Sequence, residues 1–273
     1  MTFAAPALEW VEFTTATTPP TPFALRQAKA RGIELKQEPG TPLRGLLVRP
    51  EGAGPFPAVV LLHGCDGVQP FQEQWAAELA SWGYVAFLVD SHGPRGIGDD
   101  CAHYPPTAGT RTFDAFGALR YLRGLPSVDP ARVVVMGWGT GGRTVEAVLE
   151  VKGVQQLVEE RFAAGVAIHP IGWPDGVEAA PLLILVGDKD DCFPASRIQR
   201  AMQDIPAGPF PIKIEILPGA GHRFEDPRFA DPVYLTYAQS PTCLFSGTTL
   251  TYSKAAHEAA VELVHAFLEV HLK

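Results

Sequence analysis

The chain has 273 residues, enough for one large α/β domain with a substantial core. Its 46% hydrophobic content and near-zero mean hydropathy fit a soluble globular protein, and no apolar run approaches the roughly 18 residues a membrane span needs. A formal net charge of −8 argues against nucleic acid as a partner, because no basic block exists to neutralise phosphates.

Residues 1–41 are rich in proline and threonine, as in Thr18-Pro-Pro-Thr-Pro22, and predict an arm lying on the domain with a short helix at Phe23–Arg31. The first residues carry no basic segment followed by an apolar core, so cytoplasm is the expected location. Periplasm or secretion is the alternative if a leader has been removed. The four cysteines, Cys65, Cys101, Cys192 and Cys243, are too few and too scattered for a disulfide scaffold. A single bridge, Cys65 to Cys101, stays open for an exported protein.

Leu43–Arg49 is the first clear strand, and Ala58–Leu62 is a continuous apolar strand that ends in His63-Gly-Cys-Asp-Gly67. Phe71–Trp82 has Trp75, Leu79 and Trp82 at helical spacing, with Gly83 as its stop. Tyr84–Val89 reads as a buried strand, and the loop 90–96 and an irregular stretch over 98–109 follow it. Thr110–Arg123 predicts an amphipathic helix with Phe113, Phe116, Leu119, Tyr121 and Leu122 as its apolar positions. Val133–Met136 predicts a strand, and Thr144–Glu150 a helix burying Val145, Val148 and Leu149. Further strands are expected at Gly165–Ile168, Pro181–Val186 and Ile212–Leu217, and helices at Pro194–Gln203 and Lys254–Leu272. The last helix would present Ala255, Ala259, Leu263, Phe267 and Val270. This alternation predicts one doubly wound domain over residues 42–273, a mostly parallel sheet with helices on both faces.

Ligands of such sheets bind at the carboxyl ends of the strands. Gly137-Trp-Gly-Thr-Gly-Gly142 joins a strand to a helix in the frame of a nucleophile elbow, G-x-S-x-G, but Gly139 stands in the nucleophile position. Asp188, Asp190 and Asp191 follow the strand 181–186, and His222 lies in a glycine loop after the strand 212–217. Asp190 is the candidate acid that orients His222. Backbone N–H groups of Thr140, opening the helix, and of Cys65 are candidates for an oxyanion hole, with His63 and Trp138 beside the substrate. His92, Asp99, Asp100, Cys101 and His103 form a mixture that could ligate zinc, but no standard ligand spacing is met and no metal is expected.

Five motifs together carry a resemblance: Pro57-Ala-Val-Val-Leu-Leu-His-Gly-Cys-Asp-Gly67, Asp90-Ser-His-Gly-Pro-Arg-Gly96, Met136-Gly-Trp-Gly-Thr-Gly-Gly142, Gly187-Asp-Lys-Asp-Asp191 and Gly221-His-Arg-Phe224. In order and spacing they resemble the dienelactone hydrolase family of α/β-hydrolases over roughly residues 40–272. The resemblance implies an α/β-hydrolase fold and cofactor-free hydrolysis of a small-molecule ester or lactone by a monomer or homodimer. It also implies Asp190 as acid, His222 as base and Arg95 as an arginine that could hold a substrate carboxylate. It departs at the nucleophile, since relatives carry Ser or Cys where this chain has Gly139. Three explanations are open: an engineered replacement of a native serine, a natural change that leaves a binding protein or scaffold, and a water activated by His222. Lyase chemistry at the His–Asp pair is a further alternative. Thr140 is a poor substitute nucleophile, and Cys192 is expected to be buried and inert.

Overall fold

A computed structural model describes residues 7–20, 22–99, 101, 110–174, 176–240, 243 and 247–272. Asp100 and His103, two of the weighed zinc ligands, and most of the stretch 98–109 lie outside these residues. The chain runs β1 (Ala7–Thr14), α1 (Pro22–Ala30), β2 (Pro42–Arg49), β3 (Phe56–Leu62), α2 (Pro70–Ser81), β4 (Val85–Asp90), α3 (Arg111–Arg123), β5 (Val128–Trp138), α4 (Thr140–Leu149), β6 (Ala164–Ile168), β7 (Leu182–Gly187), α5 (Ala195–Asp204), β8 (Ile212–Leu217), β9 (Val233–Leu235), β10 (Thr248–Leu250) and α6 (Lys254–His271).

Eight strands form one sheet in the order β1-β2-β4-β3-β5-β6-β7-β8. From β4 to β8 all neighbours are parallel, whereas β2 and β1 extend the edge antiparallel. Successive side chains of a strand point to opposite faces, and β3 obeys this cleanly. Ala58, Val60 and Leu62 join the core beneath α3, α4 and α5, while Val59 and Leu61 join the core beneath α2 and α6. Because both faces are covered, the central strands read as unbroken apolar runs. That pattern is what makes β3, β5 and β7 visible in the sequence.

Two elements differ from expectation. β1 is not anticipated, because most of its side chains are exposed at the sheet edge and only Val11 and Phe13 turn inward. It is held by full pairing with β2, from Ala7 opposite Arg49 to Thr14 opposite Pro42. In α6 the buried stripe is Ala256, Ala260, Val264 and Leu268, one residue on from the predicted side. Ala259, Leu263 and Phe267 flank that stripe, whereas Ala255 is exposed and Val270 is 73% exposed. Two neighbouring i,i+4 rows of α6 are apolar, so periodicity alone leaves the face ambiguous by about 100°.

All four cysteines are paired, Cys65 with Cys101 and Cys192 with Cys243. The inert free Cys192 of the sequence reading is therefore corrected to a bridged one. Cys101, with its sulfur in a bridge, is also removed from any zinc set. Among the described residues no helix is long and apolar enough to cross a membrane.

Candidate active site

The site is built on the elbow between β5 and α4. Trp138, the last residue of β5, pairs in register with Ile168, the last of β6. Gly139 follows with φ +53° and ψ −113° and donates its N–H to the Ile168 carbonyl at 3.1 Å. This positive φ suits glycine and is the strained turn an elbow requires. Two residues on, a Cβ on Gly141 would strike the carbonyls of Leu62 and His63, so only glycine lets α4 start this close to β3. A Cβ on Gly139 would instead meet only Nδ1 and Cε1 of His169, each at 3.9 Å. The nucleophile position is open, and an imidazole edge borders it.

His222 follows β8 and is buried beside Asp190, which follows β7. Its Nδ1 donates to Asp190 Oδ2 at 2.9 Å, which leaves Nε2 for the pocket that the ring lines. The N–H groups of Cys192 and Phe193 both donate to Asp190 Oδ1, at 2.9 and 3.0 Å. Burial alone would raise the Asp190 pKa. The charge and hydrogen bond of His222, the charge of His169 and the Phe193 N–H together pull it below the ordinary carboxylate value. A neutral imidazole held this way can take a proton at Nε2, while the carboxylate stabilises the cation that forms.

A second histidine–carboxylate pair lies alongside. His169 Nε2 donates to Glu225 Oε1 at 2.7 Å, with both side chains buried. The rings of His169 and His222 meet edge to face, their centroids 4.6 Å apart. Burial pushes the His169 pKa down, but the charge of Glu225, its hydrogen bond and the charge of Asp190 outweigh this and Arg223, so the value rises above that of a free imidazole. These two shifts have opposite consequences for stability. Asp190, depressed on folding, contributes stability above the usual carboxylate range near pH ~3.9 that is lost as pH falls through its folded value. His169, raised on folding, contributes fully below pH ~6.5 and loses that contribution as pH rises through its folded value. Thermal melts should therefore show Tm declining on the alkaline side of pH ~6.5, and His169→Gln should flatten that decline. Parallel curves for the two proteins would show that the pair does not titrate with folding.

Gly139, Trp138, Thr140, Cys65 and His222 line one pocket, with His169, Ile171, Phe71 and Leu250 among the other walls. Thr140 opens α4, where a first-turn N–H has no intrahelical acceptor. Its hydroxyl is occupied by Arg111 Nη1 at 2.8 Å, which removes it as a nucleophile. Trp138 packs its ring edge-on against Phe71 and beside Trp75, so it offers the pocket little more than its base.

Two expected contacts are corrected. His63 is fully buried and outside the pocket lining: Nδ1 donates to the Gly64 carbonyl at 2.6 Å, and Nε2 accepts the Ser91 N–H at 3.2 Å. Burial, then Arg111 and His92, hold its pKa well below the usual imidazole value, so it is a neutral strut under the 63–67 turn. Arg95 is spent on Asp114, with two hydrogen bonds of 2.7 and 2.8 Å, and on the Ser91 carbonyl. A bidentate pair to a fully buried carboxylate leaves no fork for a substrate. Asp191 is committed to Thr248 and Thr249, which ties β10 to the loop after β7, and Asp188 accepts the Gly219 N–H.

His169 and Glu225 were not singled out from the sequence. The signal was available, because His169 is the first residue after β6, at the same sheet edge as Gly139, Asp190 and His222.

Residues 43–272 match the sequence model of the dienelactone hydrolase family. A curated protein of Bradyrhizobium sp named "Probable 2-oxo-3-(5-oxofuran-2-ylidene)propanoate lactonase" is 27% identical over 209 residues, 71% of this chain and 83% of that protein. Among solved structures, a dienelactone hydrolase-like promiscuous phosphotriesterase from metagenomic libraries aligns with TM-score 0.66 and 19% identity, covering 98% of this chain and 100% of the other. Esterase 2 of Thermogutta terrifontis aligns with TM-score 0.59 and 18% identity over 85% of this chain and 90% of its own.

Proposed function

Because this chain belongs to the dienelactone hydrolase family of α/β-hydrolases, we propose that it hydrolyses a small carboxylic ester or lactone with water in place of a side-chain nucleophile. The observation that carries this reading is the pairing of an open residue-139 position with an intact His222–Asp190 pair. The substrate carbonyl oxygen lies toward the N–H groups of Thr140 and Cys65, which accept the charge that develops there. His222 takes a proton from water as the water oxygen bonds to the carbonyl carbon, and the carbon–oxygen bond to the leaving group breaks as a protonated histidine of the pocket gives one proton to the leaving oxygen. Acid and alcohol are the products, or one hydroxy acid from a lactone.

The lactonase naming of the Bradyrhizobium relative supports a lactone as the first substrate class to try. Phe71, Ile171 and Leu250 make the walls largely apolar, which suits a small substrate whose one polar group is the scissile carbonyl. Two bridged cysteine pairs favour an oxidising compartment, periplasmic or extracellular, over the cytoplasm.

The test is kcat/KM on short aryl esters and unsaturated lactones, measured for this protein and for His222→Ala. Loss of about 10² in the variant is expected if His222 is the base. Binding of intact lactone with no turnover by either protein overturns hydrolysis, and the chain is then a binding protein on the same fold.

A further inference from the structure

Within the proposed hydrolysis, on which this inference rests, we infer that His169 is a second catalytic histidine, the general acid that protonates the leaving-group oxygen from Nδ1. Three independent features of the geometry point to it. His169 Nε2 is taken by Glu225, which fixes the ring and leaves Nδ1 as the working nitrogen. Nδ1 is buried with no hydrogen-bond partner among the described residues, a costly state for a polar atom that a substrate oxygen would relieve. The Nδ1–Cε1 edge is also the part of the protein that borders the empty residue-139 position.

The two rings thus present one free nitrogen each to a shared space, with centroids 4.6 Å apart. Their carboxylates differ in setting. Asp190 receives two backbone N–H donors on its second oxygen, which spreads its charge, whereas Glu225 Oε2 is buried without a partner, which concentrates its charge on the His169 side. The groups that bear on His169 are Glu225 and Asp190, which favour its cation, Arg223, which opposes it, and the ring of His222. Two titratable groups with unlike surroundings are the arrangement that divides acid from base.

The step balances without any further reagent. Water gives its proton to His222 Nε2 as its oxygen bonds to the carbonyl carbon, and the carbonyl electrons move to the oxygen held at Thr140 and Cys65. On collapse, the bond to the leaving oxygen breaks while that oxygen takes the proton from His169 Nδ1. Transfer of the proton from His222 to His169, through solvent in the pocket, resets both rings.

A general acid matters in proportion to the basicity of the leaving group, which gives the assignment its own readout. Ethyl and p-nitrophenyl esters of the same short acid are compared in the protein, in His169→Gln, in Glu225→Gln and in His222→Ala. The aryl leaving group departs as a stable anion, whereas the alkoxide needs a proton. The ratio of aryl to alkyl kcat/KM is expected to rise about 10²-fold in His169→Gln and to rise in Glu225→Gln as well. His222→Ala should lower both esters together. In the unmodified protein, the alkyl-ester rate should fall at alkaline pH as His169 loses its proton, with no matching limb for the aryl ester. That comparison requires no variant to fold. Equal losses on both esters in His169→Gln, or superimposable pH profiles, overturn the assignment alone. No turnover of either ester, or no effect of His222→Ala, overturns the proposed hydrolysis itself.

Discussion

Gly139→Ser is expected to raise kcat/KM on short aryl esters about 10³-fold or more. Removing the serine of a triad protease costs on the order of 10⁶ in kcat, and what remains, about 10³–10⁴ over water, comes from the oxyanion hole and binding. On the proposed reading this chain keeps the latter features and lacks the former, so supplying the hydroxyl should recover a large part of that factor. The geometry allows it: apart from the His169 edge at 3.9 Å, no atom of the described residues beyond the chain neighbours lies within 4 Å of the new Cβ. The backbone cost is that of a non-glycine residue held at φ +53° and ψ −113°, about 1–3 kcal/mol, which should lower Tm by a few degrees. Activity would rise while stability fell, the usual exchange at a strained catalytic turn. Adding His222→Ala to the serine variant should remove the gain, because an unactivated hydroxyl is a weak nucleophile. If serine leaves the rate unchanged, His222 is not aimed at residue 139 and the water mechanism loses its base as well.

The same position shows how far the sequence could be read. The elbow is legible because its constraints are local: an apolar strand, a glycine frame and a helix in immediate succession. Asp190 and His222 are legible because each follows a buried strand, in the order that places them at one sheet edge. His169 satisfies the same rule, one residue past β6, but the family pattern assigns nothing to that position and the rule was not applied to it. Its partner Glu225 stands three residues after His222, in a turn with no periodicity to mark it. Arg95 illustrates the opposite failure, since the resemblance implies an anion contact there, whereas the structure pairs it with the buried Asp114. The face of α6 was missed by one residue because apolar rows overlap there. The edge strand β1 was missed because nothing covers most of its side chains. Of the two bridges, Cys65–Cys101 is the one the sequence left open, whereas Cys192–Cys243 was not legible, as a separation of 51 residues says nothing about proximity. Cys65–Cys101 joins the turn after β3 to the stretch after β4, the parallel neighbour of β3, and Cys192–Cys243 joins the loop after β7 to the segment between β9 and β10.

Both bridges line or adjoin the pocket, so reduction should damage stability and turnover together. Cross-links that close loops of 36 and 51 residues lower the entropy of the unfolded chain by amounts worth about 4 kcal/mol each in the chain-entropy account. For a chain of this size, losing one should lower Tm by about 10 °C. The catalytic consequence differs between the two. Cys65–Cys101 anchors the turn that carries one proposed oxyanion donor, so Cys101→Ser should weaken transition-state binding and lower kcat with little change in KM. Cys192–Cys243 lies against the base: each sulfur is within 4.8 Å of a His222 ring nitrogen, and the Cys192 N–H holds Asp190. Cys243→Ser should free that loop, loosen the Asp190 carboxylate that orients His222 and lower kcat. Thermal melts and steady-state kcat and KM, with and without reductant, read both effects. A reduced protein with unchanged Tm and unchanged turnover would show that the sheet alone holds the site, and that neither bridge has a part in its chemistry.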